Sequence, residues 1–156
     1  MAIKILNIGK SKHNYLVQGV NDYLTRLGKY AIVQWVELPD ARKKHYKTVD
    51  ELKKLEADIF LAELKPSTFL IGLDEKGKRF TSRGFATQMN NWTRENGDIA
   101  FVIGGAFGFH DSLYNRMNAK ISLSDMTLSH QMVRLLLVEQ IYRGYSILNG
   151  EPYHND

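Results

Sequence analysis

Phe101-Val102-Ile103-Gly104-Gly105-Ala106-Phe107-Gly108 is an apolar run that breaks into a glycine-rich turn. Glycines at such a place let the backbone bend closely around a ligand or another segment. Further on, Leu123-Ser124-Asp125-Met126-Thr127-Leu128-Ser129-His130-Gln131-Met132-Val133-Arg134 passes from a short strand through a polar loop into a long apolar helix. A strand and turn followed by a strand, loop and helix belong to an α/β fold, and the rest of the chain reads the same way.

Working towards the N-terminus, residues 99–103 form a fourth strand and 69–73 a third, with a helix between them that carries Phe85, Met89 and Trp92 on one face and has Ser82 as its cap. Thr48-Val49-Asp50-Glu51 has capping-box spacing and opens a helix that Pro66 stops. Residues 32–38 are a second strand, ended by Pro39-Asp40. Leu16, Val20, Tyr23, Leu24 and Leu27 recur at helical spacing, with Gly28 where a C-terminal cap belongs. Residues 3–8 are a buried first strand, so the start at Met1 reads as structure and not as a signal peptide. Towards the C-terminus, Asp111 caps a short helix to about Met117, 121–123 is a fifth strand and 129–148 a final helix. Strand and helix alternate throughout, so residues 1–156 are expected to form one α/β domain, a mostly parallel sheet flanked by helices. Ligands in such sheets sit beyond the carboxyl ends of the strands, which directs attention to the turns after Leu73, Ile103 and Leu123.

Composition narrows the function classes. With 44% hydrophobic and 24% charged residues the chain has the make-up of an ordinary globular domain, and no apolar run is long enough to span a membrane. Zero cysteines exclude disulfides and cysteine-held metals, and fit a cytoplasmic protein. A net charge of +4, from 21 basic and 17 acidic residues, is compatible with a phosphate-rich partner without demonstrating one. The dense basic cluster Arg42-Lys43-Lys44-His45-Tyr46-Lys47 reads equally as a solvated loop or an RNA contact.

Other motifs have ordinary explanations. Gly9-Lys10-Ser11 follows a strand, but a phosphate-binding loop needs a glycine where Lys4 stands. The Gly104 turn is not a dinucleotide fingerprint, and His110-Asp111 lacks a serine on a nucleophile elbow. His130 and Arg134 share a helix face without a second ligand at metal spacing, and Glu139 with Arg143 is a surface ion pair. The final helix is apolar around most of its circumference, from Met132 through Leu137 and Ile141 to Leu148. It must be buried on more than one side, by a second subunit or within the monomer core. A tail such as 149–156 is by default disordered.

The ordered set of Ile5-Leu6-Asn7-Ile8-Gly9-Lys10, Leu73-Asp74, the Phe101 turn, the Leu123 segment, Glu139-Gln140-Ile141-Tyr142-Arg143 and Pro152-Tyr153-His154 resembles the ribosomal large-subunit methyltransferase H family. These are SPOUT enzymes, knotted proteins that use S-adenosylmethionine to modify RNA. The resemblance spans essentially the whole chain. It implies a compact homodimer with a C-terminal trefoil knot that methylates N3 of a pseudouridine in 23S rRNA, within the large subunit or the assembled ribosome. It also implies a donor pocket built from Leu73, Gly104, Gly105, Leu123, Ser124, Asp125, Met126, Thr127 and Leu128, without a metal. A side chain at Gly105 would then block the donor. Ser129 stands where relatives usually have proline, and Phe109 where they tend to have leucine. Ser129 can still cap the final helix.

An imide nitrogen is a poor nucleophile until its proton leaves, so such chemistry needs a nearby cation and a proton acceptor. Arg143 is the candidate for the cation and for phosphate contact, His154 for the proton or for positioning the base, and Tyr153 for stacking on or hydrogen-bonding the nucleotide.

Overall fold

The computed structural model describes residues 2–156; Met1 lies outside the described residues. Five strands, Ala2–Ile8 (β1), Ile32–Leu38 (β2), Phe69–Arg79 (β3), Ile99–Ile103 (β4) and Ala119–Ser122 (β5), form one sheet in the order β2-β1-β4-β3-β5. Every pairing is parallel. The helices are Asn14–Leu27 (α1), Val49–Ala62 (α2), Ser82–Asn96 (α3), Asp111–Tyr114 (α4) and Met132–Leu148 (α5).

The apolar strands are apolar because both faces are covered. Ile99, Phe101 and Ile103 of β4 join Ile3, Ile5 and Ile71 in a core under α1, α3 and α5. The alternate residues Ala100 and Val102 join Leu6 and Leu70 in a second core with Ala57 and Phe60 of α2 and with Phe109 and Leu113. The period of two along each strand thus sorts the side chains into two layers.

Several expected boundaries move. β3 continues past Leu73: its register against β5 slips between Leu73 and Lys78, so 74–77 bulge out at the sheet edge. β5 ends at Ser122, and Leu123 already belongs to the loop. Thr81, not Ser82, caps α3, its hydroxyl accepting from the Gly84 N–H at 3.0 Å. His110, not Asp111, caps α4, with Nδ1 accepting from the Ser112 N–H at 3.1 Å. At α2 the capping box is only half made: Thr48 accepts from the Glu51 N–H, while Glu51 reaches the Lys47 N–H instead of that of Thr48. Gly28 does end α1, but in right-handed geometry. The regular part of α5 begins at Met132, yet Ser129 Oγ still accepts from the Met132 N–H at 3.1 Å, which is the capping role expected of it.

Candidate active site

A parallel sheet sends the carboxyl ends of all its strands to one edge. A cleft of about 570 Å³ opens there, beyond the neighbouring strands β4, β3 and β5. Leu73, Gly104, Gly105, Leu123, Ser124, Met126, Thr127 and Leu128 all line it, so three separate sequence segments converge. The volume suits a small-molecule ligand, and the walls are largely apolar side chains and backbone. Loop amides and carbonyls among those walls can read the polar edge of such a ligand without charged side chains.

Of the residues expected in the donor pocket, Asp125 alone stands outside the lining. Ser124 Oγ accepts from the Met126 N–H at 2.9 Å, and this tight local turn leaves Asp125 at the tip. Its carboxylate is 82% exposed and ion-paired with Arg79.

The glycine turn is explained by what lies behind it. A Cβ on Gly105 would come within 2.7 Å of a Glu56 carboxylate oxygen, and one on Gly104 within 3.0 Å of the Phe109 ring. A side chain at Gly105 therefore meets Glu56 before it meets any ligand, which corrects the sequence expectation of direct blockage. Glu56 is buried, with Oε2 unpartnered. Burial pushes its pKa up; the Gly105 amide opposes this, Asp40 adds to it and Arg42 counters. Overpacking of this kind costs about 1–3 kcal/mol. Gly105→Val is accordingly expected to reshape the turn and weaken binding of the donor that the resemblance implies by ~10-fold or more. Calorimetry on a folded variant with unchanged donor affinity would remove the turn from the pocket.

On the cleft rim, the Tyr114 hydroxyl donates to Asp74. Burial, reinforced by Asp74, pushes the Tyr114 pKa up to about 12, so it stays a donor at neutral pH. His130 lines the opposite wall. Burial lowers its pKa, and Arg134, Lys12 and Arg42 lower it further, which leaves a neutral imidazole at pH 7.

Arg134 does not share a free surface with His130, because its side chain is buried. Nη2 donates to the Ile8 carbonyl at 2.6 Å and Nη1 to the Gly9 carbonyl at 2.9 Å and to Ser11 Oγ at 3.3 Å. Gln131 adds two bonds, from Nε2 to the Lys10 carbonyl at 3.3 Å and to Oε1 from the Lys12 N–H at 3.1 Å. The start of α5 thus fastens the β1–α1 turn, and Gly9-Lys10-Ser11 is part of that staple.

Arg143, Tyr153 and His154 form a second cluster. The Arg143 guanidinium donates to Glu139 Oε1 from Nε at 3.0 Å and from Nη2 at 2.5 Å, which raises its pKa. Its charge also lies 4.6 Å from the centre of the Tyr153 ring. The Tyr153 hydroxyl donates to Glu139 at 3.1 Å and meets the Tyr23 hydroxyl at 2.9 Å. Burial, then Tyr23 and Glu139, push its pKa up. Arg143 Nη1 lies 3.2 Å from His154 Nδ1, and His154 Nε2 lies 2.8 Å from Asp156 Oδ1. The tail is docked, not loose, and Glu139–Arg143 is a half-buried hub instead of a surface pair.

Within one chain this cluster stands outside the cleft lining. Val133 lines the cleft and Arg143 lies ten residues further along α5, about 15 Å.

Sequence reasoning passed over Glu56 and Arg134 as functional residues. Both carried a signal: Glu56 sits between Leu52 and Phe60, and Arg134 before Leu137 and Ile141, so each places a charge on an inward apolar stripe.

A family model described as "Predicted SPOUT methyltransferase" matches residues 1–154. Two curated relatives carry the name "Ribosomal RNA large subunit methyltransferase H". The one from Parabacteroides distasonis is 40% identical over 157 residues and covers 100% of both chains. The one from Anaeromyxobacter sp. is 40% identical over 154 residues and covers 99% of each.

Proposed function

This chain belongs to the SPOUT methyltransferase family, and from that membership we propose that it methylates N3 of a pseudouridine in 23S rRNA of the large ribosomal subunit. Membership makes it a methyltransferase with S-adenosylmethionine as donor, and implies the trefoil knot at the C-terminal end, an exception to the rule that chains do not thread loops. The names of the two relatives bring in the ribosomal RNA substrate, and the same reading puts the work in the cytoplasm. Among the described residues no helix is long and apolar enough to cross a membrane, and no group of three or more His, Asp or Glu side chains could hold a metal.

The observation that carries the reading is the convergence of Leu73, Gly104-Gly105 and the 123–128 loop on one largely apolar cleft. The donor supplies an electrophilic methyl group on a sulfonium. The chain's part is to hold it against apolar walls and backbone, to exclude water, and to bring a cation and a proton acceptor to the target imide. Reacting atoms must approach to about 3–3.5 Å, and Arg143 of the same chain stands outside the cleft lining, about 15 Å along α5 from Val133.

A homodimer resolves this. Met132, Leu136, Arg143 and Ile147 form a stripe of exposed and half-buried residues along α5. An isologous antiparallel pairing across that stripe sets the C-terminal half of one α5 against the N-terminal half of the other. The partner subunit's Arg143 then lies opposite Leu136, about one turn from the cleft residue Val133.

The test is transfer of labelled methyl from S-adenosylmethionine to ribosomal particles lacking the modification. The label should appear at N3 of a 23S pseudouridine; label at another nucleotide would make this a SPOUT enzyme of different specificity. Donor binding without any transfer would leave a ribosome-binding protein that keeps the fold.

A further inference from the structure

Resting on the rRNA reading above, we propose that the loops after β1 and β2, together with Phe107 on the glycine turn, form a docking surface for an unpaired RNA segment beside the target nucleotide. The placement follows from the sheet. All strands are parallel, so the 9–13 and 39–48 loops emerge at the same edge as the cleft, and the order β2-β1-β4 sets them next to the glycine turn after β4. Lys10 and Lys12 on the first loop and Lys43 and Lys44 on the second are all exposed.

The two loops run side by side: the Gly9 N–H donates to the Leu38 carbonyl at 2.7 Å, and a Cβ added to Gly9 would lie 3.8 Å from the Asp40 side chain. His130 joins them to the cleft, since it lines the cleft wall while feeling the charges of Lys12 and Arg42. The surface is built and not merely solvated. Arg134 and Gln131 hold the first loop from beneath, and the Arg42 guanidinium grips Asp40 from Nη2 at 2.8 Å and Nε at 3.1 Å, which draws the Asp40 pKa down to about 2. Arg42 therefore uses its charge within the loop. Among the described residues, Lys10, Lys12, Lys43 and Lys44 make no ion pair. Glu37, on the first loop's flank, is engaged by the Ser11 N–H at 2.8 Å and the Trp35 indole at 3.2 Å.

Four lysines on the loops beside the cleft suit a row of phosphates, because each phosphate neutralised releases counterions whatever the base sequence. Phe107 supplies what phosphate contact lacks. It stands on the cleft lip, 55% exposed, just before Gly108 at φ +79°. A single exposed aromatic is ordinary on its own. Next to a cationic track it is a platform on which an unpaired base stacks, the combination that binds single strands.

The experiment uses the full-length protein, a Lys43→Glu/Lys44→Glu double variant and Phe107→Ala. Donor Kd is read by calorimetry, and KM for large-subunit particles lacking the modification is read across a salt series. The double variant should keep the wild-type donor Kd and melting temperature. Its KM should rise ~10-fold or more, and the dependence of log KM on log salt should fall by about 1.4, two contacts at about 0.7 each. Phe107→Ala should raise KM by ~5- to 100-fold with the salt dependence intact. Unchanged KM and salt dependence in the double variant would overturn the surface. A raised donor Kd in Phe107→Ala would assign the ring to the donor cleft and overturn the base contact. Wild-type protein that transfers no methyl to any particle sinks the rRNA reading instead. In that case labelled oligouridylate decides separately: binding that ignores the double substitution overturns the surface, and binding weakened by it sustains the surface.

Discussion

Replacing Arg143 with alanine is expected to lower methyl transfer by ~10²–10⁴-fold, the range for losing a positioned proton-transfer arrangement, while donor affinity stays at the wild-type level. The expectation rests on how the tail is held. A guanidinium only donates hydrogen bonds, so its contact with His154 requires a lone pair on Nδ1 and the ring proton on Nε2, facing Asp156. Arg143 thereby fixes the ring's tautomer as well as its position, and its own charge stays fixed by Glu139. To take a proton from the imide, His154 must give up that lone pair to it, which the nucleotide can bring about by drawing Arg143 onto itself. Deleting 152–156 should cost the same order in rate and also some stability, because the Tyr153 ring packs edge-on against Tyr142 with centres 4.7 Å apart. Tyr153→Phe keeps that packing and loses only the hydroxyl contacts to Tyr23 and Glu139. It should therefore fold normally and show a smaller rate loss than His154→Ala. The assay is single-turnover transfer to large-subunit particles at saturating donor. An Arg143→Ala protein with a near wild-type rate would reduce the cluster to a structural clasp.

Much of this arrangement was legible in the chain before folding, and the exceptions have physical causes. Runs such as 99–103 announce a strand covered on both faces, and glycines after such a strand announce close backbone approach, so the cleft segments were readable one by one. Their convergence follows from parallel strand order, which local pattern does not encode. Cap positions slipped by one residue at α3 and α4, where Thr81 and His110 offered an acceptor one position before the expected residue. Asp125 looked like a pocket acid because it sits in the right loop, and only the turn made by Ser124 leaves it outside. The tail read as disordered because its partners Tyr23 and Arg83 lie far away in sequence, and because the contact with Arg143 on the preceding helix needs the chain to double back after Leu148. The apolar excess of the last helix was real, but it held two explanations at once: a monomer core on most faces and an uncovered stripe on the remaining one.

Those two explanations separate at adjacent residues. Leu137→Asp should unfold the chain, whereas Leu136→Asp should leave it folded and dissociate the dimer. Leu137, Val138 and Ile141 are 0% exposed, with α1 on one side of α5 and α3 on the other. Gly144 even lets the helix settle onto Ala86 and Met89. Losing a buried leucine costs about 2–5 kcal/mol, and an unpaired carboxyl in that place adds the cost of stripping it of water. Against a typical total of about 5–15 kcal/mol, most of the protein's stability is lost, so Leu137→Asp and Ile141→Asp report on folding and say nothing about association. Leu136 is only half-buried and lies on the stripe with Met132, which is 37% exposed. A carboxylate there stays in water in the monomer, but an isologous interface strips it of water at two symmetry-related places, each opposite the partner subunit's Arg143 whose charge Glu139 already holds, so the penalty enters twice. Sedimentation at micromolar concentration should give a dimer for the wild type and a folded monomer for Leu136→Asp. Methyl transfer should vanish with the dimer while donor binding persists, because each cleft then loses the partner subunit's Arg143. A Leu136→Asp protein that remains dimeric would move the interface to another face. A monomeric one with full turnover would mean that a single chain brings the nucleotide to both the cleft and its own Arg143.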